Sequence, residues 1–143
     1  GDGLPDVAGL VEAGVHLCVG ADSHASSDHF EEMRAVELDE RLRTERRVAA
    51  LQATQLLEIG SRSGYRSIGW EDAGGADHVI LRGDDPALAG LDPALPDDAA
   101  VFAGSPRAVV QVSVGGATII DDGVHPLLAN SRAAFVSRLQ SWL

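Results

Sequence analysis

The stretch Val15-His16-Leu17-Cys18-Val19-Gly20-Ala21-Asp22-Ser23-His24 is an apolar run that halts on an acid. Its length, β-branched content and lack of charge predict a strand buried on both faces, as in a parallel sheet. Side chains alternate along a strand, so Val15, Leu17, Val19 and Ala21 share one face and His16, Cys18, Gly20 and Asp22 the other. The first face is aliphatic and suits a sheet covered by helices. The second carries small and polar groups leading to a carboxylate.

In a (β/α) barrel that second face would line the interior and Asp22 would stand at the C-terminal rim, where barrel enzymes keep their chemistry. Asp is equally suited to ending a strand or capping a turn, so the residues alone leave both readings open. A whole barrel takes about 250 residues. A barrel strand in a chain of 143 residues therefore implies a fragment.

The flanking sequence fits a βαβ unit that lacks its first strand. Leu4, Val7, Leu10 and Val11 recur at helical spacing before Gly14, a stop signal. After the polar Ser23-His24-Ala25-Ser26-Ser27, the Asp28-His29-Phe30-Glu31 pattern resembles a capping box and predicts a helix to about Thr44. Phe30, Met33, Val36 and Leu42 give that helix its apolar contacts. Glu37 with Arg41 and Asp39 with Arg43 are spaced to pair, and most of its other charges read as a solvated face. Helix is expected to continue over residues 45–58, with Val48, Leu51, Leu56 and Ile59 as its stripe and Gly60 as its end. Gly60-Ser61-Arg62-Ser63-Gly64 follows a helix rather than a strand and fits no phosphate-binding pattern, so it reads as a loop.

Beyond Trp70 the chain turns to short strands. Residues 77–82 form one; residues 109–114 and 117–120 form a hairpin through Gly115-Gly116. Residues 84–96 read as a loop, 97–103 as a helical turn or two, and 126–143 as a closing helix bearing Leu127, Leu128, Phe135, Val136, Leu139 and Trp142. The expected division is residues 1–70, an α/β piece, and residues 71–143, a small β subdomain with a C-terminal helix, the second docked on the first.

Composition narrows the function. A formal net charge of −11 leaves no excess of cations for phosphates and argues against a nucleic-acid partner. The single cysteine, Cys18, is expected in the buried strand as a small core residue, which points to a reducing, cytoplasmic setting. No run is long enough to span a membrane, and no basic start precedes a short hydrophobic region.

Asp22, Ser23 and His24 invite a triad reading that geometry rejects, because consecutive side chains diverge. Metal chemistry fits better: a carboxylate at a strand end can complete a zinc site made mostly of imidazoles. The histidines are His16, His24, His29, His78 and His125, with no His-x-His and no pair four apart. His16 reads as a core residue. His24 alone is a near neighbour of Asp22, suited to a supporting contact or a substrate hydrogen bond.

The run Val19-Gly20-Ala21-Asp22-Ser23-His24, with Phe30-Glu31-Glu32-Met33-Arg34-Ala35-Val36-Glu37 and Glu40-Arg41-Leu42-Arg43 after it, resembles the amidohydrolase superfamily. Within it, the likeness is to the formimidoylglutamate deiminases, which write the site as Ser-Asp-Ser-His; here Ala21 replaces the first Ser. Gly75-Ala76-Asp77-His78-Val79-Ile80-Leu81, Val101-Phe102-Ala103-Gly104 and Val112-Ser113-Val114-Gly115-Gly116 through Asp122-Gly123-Val124-His125 resemble the superfamily's small flanking β domain. The resemblance implies an α/β fold, the C-terminal βα portion of a metal-dependent (β/α)8 barrel plus that subdomain. It implies Asp22 as the zinc-binding carboxylate that shuttles a proton, and Ser23 and His24 as residues bordering a small-molecule substrate. The reaction implied is hydrolysis of N-formimidoyl-L-glutamate to N-formyl-L-glutamate and ammonia. The remaining zinc ligands would lie in a missing N-terminal barrel portion, a homo-oligomer is possible, and the isolated chain is expected to be inactive. Another deaminase of the superfamily, acting on a purine, pyrimidine or triazine-like ring, or a non-catalytic acidic interaction domain, are the alternatives.

Overall fold

A computed structural model describes residues 3–47, 50–71 and 73–142. The elements in order are α1 (Val7–Glu12), α2 (His29–Thr44), α3 (Ala53–Ile59), α4 (Arg62–Ser67), β1 (His78–Leu81), α5 (Pro96–Ala103), β2 (Val109–Val114), β3 (Ala117–Ile120) and α6 (Leu128–Gln140). The chain is thus α/β, with one small antiparallel sheet of order β1-β2-β3.

Helices α1 and α2 begin on the residues that local chemistry selects. Asp6 accepts from the Gly9 amide at 2.9 Å, and Asp28 accepts from the amides of Phe30 and Glu31. Both carboxylates satisfy amide donors that a helix start leaves without partners. Gly14, at φ +75°, turns the chain out of α1. Helix α2 stops at Thr44 because Glu45 is left-handed, φ +55°. The helix expected over residues 45–58 is therefore two pieces of chain: Leu51 precedes α3, and Val48 lies outside the described residues. Gly60 follows α3 as expected, but the predicted loop at residues 60–64 is replaced from Arg62 by α4.

The core gathers Val7 from α1, Leu51, Ala53, Leu56 and Ile59 on and before α3, and Val101 from α5. Leu17, Val19 and Val36 pack against it. Gly104, just after α5, is a true close approach: a Cβ there would lie 2.1 Å from the Ala100 carbonyl oxygen and 2.9 Å from Phe30 of α2. Arg34 of α2 reaches the same place, donating to the carbonyls of Val101 and Gly104 at 3.0 and 2.7 Å.

Two α2 acids are buried: Glu40, whose charge was expected on a solvated face, and Glu37, expected as one half of a surface pair with Arg41. Glu40 is 1% exposed and accepts from the Val7 amide at the start of α1, while Arg43 clasps both of its oxygens at 2.9 and 2.7 Å. Arg43 also meets Asp6 at 2.7 Å, so it pairs with Glu40 and Asp6 rather than Asp39. Those contacts, led by the Arg43 hydrogen bonds, hold the Glu40 carboxyl below its ordinary range. Glu37 meets Arg41 at 2.8 Å, the i,i+4 pair the sequence predicts.

The hairpin forms as its sequence dictates, with Gly115 and Gly116 both at positive φ, 57° and 79°. Asp77 ties the sheet to the helical part: it accepts the hydroxyl hydrogen bond of Tyr65 in α4 and the Gly115 amide hydrogen bond at 2.6 Å. Both bonds favour the ionised carboxylate, the Tyr65 bond most, so its pKa is lowered. A lowered folded-state pKa stabilises above the unfolded-state value, near 3.9 for Asp, and that contribution is lost as pH falls through the folded-state pKa. Urea unfolding of the chain and of Asp77→Asn, measured from pH 7 down to pH 2.5, is expected to differ most at pH 7 and to converge in acid. A gap independent of pH would overturn this assignment.

Candidate active site

Residues 15–21 belong to no helix, and among the described residues they pair with no strand, so the ladder expected of a buried parallel strand is absent. The alternation predicted for them is nevertheless visible from Leu17 onward. Leu17, Val19 and Ala21 are half-buried, the first two against the helical core, whereas His16, Cys18, Gly20 and Asp22 are exposed. His16 and Cys18 are therefore not core residues, which corrects both expectations. Their surroundings were to come from sheet neighbours, and no described strand lies beside them.

At the end of this segment the chain reverses. The His24 amide donates to the Ala21 carbonyl at 2.9 Å, closing a tight turn whose first central residue, Asp22, has φ +44°. That sign at that position is the pattern of a II′ turn, which normally demands glycine there. Asp tolerates it better than most residues with a Cβ. Left-handed backbone at non-glycine residues clusters at functional sites. Ser23 and His24 complete the turn, and both are exposed, like Asp22. His24 Nδ1 meets Glu32 Oε1, in the first turn of α2, at 2.6 Å.

No three His, Cys, Asp or Glu side chains gather to hold a metal among the described residues. Neither of two grooves among the described residues is lined by Asp22. One, of about 460 Å³, is lined by Arg82, Arg107 and Asp122 among others. The other, of about 400 Å³, runs between Val15, His16 and Leu17 and the α3–α4 region, including Leu51, Gln55 and Arg66. Sequence reasoning missed Glu32, although Glu32 and His24 lie eight residues apart with a predicted helix start between them, which was the available signal. No described helix is long and apolar enough to cross a membrane.

No protein-family model matches the chain. In sequence it is 31% identical to a formimidoylglutamate deiminase from Pseudomonas aeruginosa, over 97% of the chain and 33% of that protein. In structure it is similar to an amidohydrolase from Brucella melitensis, with TM-score 0.82 and 25% identity over 98% of the chain and 33% of the other. It also shares the fold of an adenosine deaminase from Xanthomonas campestris determined with bound zinc, with TM-score 0.78 and 21% identity over 93% of the chain and 31% of the other. The chain thus spans about a third of the length of each.

Proposed function

We propose, for a chain that belongs to the amidohydrolases, that it is the C-terminal third of a zinc-dependent deiminase that hydrolyses N-formimidoyl-L-glutamate to N-formyl-L-glutamate and ammonia. The observation that carries this reading is Asp22: an acid at positive φ, at the end of a segment whose Leu17 and Val19 pack on the helical core. The substrate rests on the sequence match, because the likeness to the adenosine deaminase extends to the fold alone.

The division of labour follows from the exposed face. Residues 15–21 pair with no strand among the described residues, and a groove runs beside Val15, His16 and Leu17. The occupant is the remaining two thirds of the same protein, whose flanking strands would complete a barrel and place Asp22 on its rim. The apolar residues of α6 and its ends, among them Leu128, Phe135 and Trp142, are exposed and would face the same portion. On this reading residues 1–70 hold the barrel's last strand, and residues 71–143 a flanking β subdomain.

Asp22 would be one ligand of the zinc, the others lying outside this chain, since the described residues gather no ligand set of their own. When bound, zinc supplies acidity, lowering the pKa of water near neutrality. The Asp22 carboxylate takes a proton from the attacking water and returns it to the departing nitrogen. Ser23 and His24 border the substrate.

Expressing the gene's complete reading frame and assaying ammonia release from N-formimidoyl-L-glutamate tests the proposal. Zinc-dependent release is expected. A folded, zinc-loaded product that releases none would overturn the substrate assignment.

A further inference from the structure

Resting on that reading, we propose that Glu32 is a positioning residue for the site: it holds His24 with Nδ1 protonated and turns Nε2 outward as the ring's acceptor, available to an N–H group of an amidine or amide substrate. The ring nitrogen that meets Glu32 Oε1 at 2.6 Å is Nδ1. An ionised carboxylate only accepts, so the proton between them sits on Nδ1. In a neutral imidazole the other nitrogen is then an acceptor.

The two side chains differ in the way such a device requires. Glu32 is 12% exposed and His24 65%. The carboxylate is the sheltered anchor and the ring is the presented group. The anchor is itself fixed. It stands in the first turn of α2, where the Glu32 amide donates to the Asp28 carbonyl at 3.1 Å. The next residue, Met33, is buried against Gly60, where an added Cβ would come within 2.1 Å of Met33 Sδ. Arg34 is bonded to the end of α5. The other end of the small loop is held by the Ala21–His24 turn bond. A site held within tenths of an ångström is built on such supported groups.

Two-dimensional 1H–15N multiple-bond spectra of the chain as it stands, recorded at alkaline pH where histidines are neutral, read the tautomer of each ring. The His24 signals are assigned by their loss in His24→Asn. His24 is expected as the Nδ1–H form, against the Nε2–H form that an unrestrained histidine favours. Glu32→Ala should return it to the Nε2–H form, and Glu32→Gln, which keeps an oxygen acceptor, should retain Nδ1–H. An Nε2–H ring in the parent chain, or an Nδ1–H ring unmoved by Glu32→Ala in a variant whose backbone amide spectrum is otherwise unchanged, would overturn the proposal. Because no substrate enters this measurement, failure of the deiminase assay would leave the tautomer result standing, and the reverse.

Discussion

On the proposed reading, Asp22→Asn in the protein of the complete reading frame is expected to lower turnover of N-formimidoyl-L-glutamate by roughly a thousandfold, in the range that a positioned acid–base group contributes. The substitution is chosen to change little else. Asn shares the tolerance of Asp for left-handed backbone, so the turn closed by the Ala21–His24 bond keeps its shape with φ near the +44° of the parent. The amide keeps an oxygen that can face a cation, but it takes up no proton at neutral pH and carries no charge. Zinc content measured alongside turnover separates two causes. Retained zinc with lost turnover points to the proton transfer, and lost zinc to ligation. Turnover equal to the parent's would remove Asp22 from the chemistry.

Glu37→Ala is expected to destabilise the chain by about 3 kcal/mol, the scale for opening a buried ion pair and leaving amides without acceptors. Glu37 is fully buried. One oxygen accepts from Arg41 Nε at 2.8 Å, and the other from the amides of Ala50 and Leu51 at 3.3 and 3.2 Å. Those amides belong to the stretch that brings Leu51 into the core, so α2 and the approach to α3 are joined through one carboxylate. Arg41, stacked over the Phe102 ring at 5.5 Å, would lose its ionic partner and keep its aromatic one. Urea unfolding midpoints check the loss, with Glu37→Gln falling between the parent and Ala because it retains an acceptor. A midpoint for Glu37→Ala within experimental error of the parent would show that the buried pair contributes nothing net.

What could be read from the sequence is what nearest neighbours decide. The hairpin over β2 and β3 matched its predicted ends because Gly-Gly between alternating residues is a local instruction. The Asp28 cap and the Gly14 stop are of the same kind. The alternation along residues 17–21 was legible, and so was the position of Asp22 at their end. The pairing of that segment was not: whether an extended run meets strands depends on residues beyond it. His16 and Cys18 were misplaced for that reason.

The two buried acids of α2 show a second limit. The i,i+4 rule found Glu37 with Arg41, yet it treats a helix as isolated, and burial of Glu37 and Glu40 is imposed by residues 50–51 and by α1. Arg43 turned to Glu40 and Asp6 instead of Asp39 because α1 lies beside that face. The helix expected through residues 45–58 failed on Glu45, whose left-handed backbone no propensity signals.

The bare ribbon at residues 15–21 carries a liability as well as a clue. It holds Val15, Leu17 and Val19, no acid, no Lys or Arg and no proline, and among the described residues it pairs with no strand, which makes a template onto which another copy can stack. In the cell such a stretch has to find its proper neighbours before it finds itself, so the yield of functional protein hinges on the order in which contacts form.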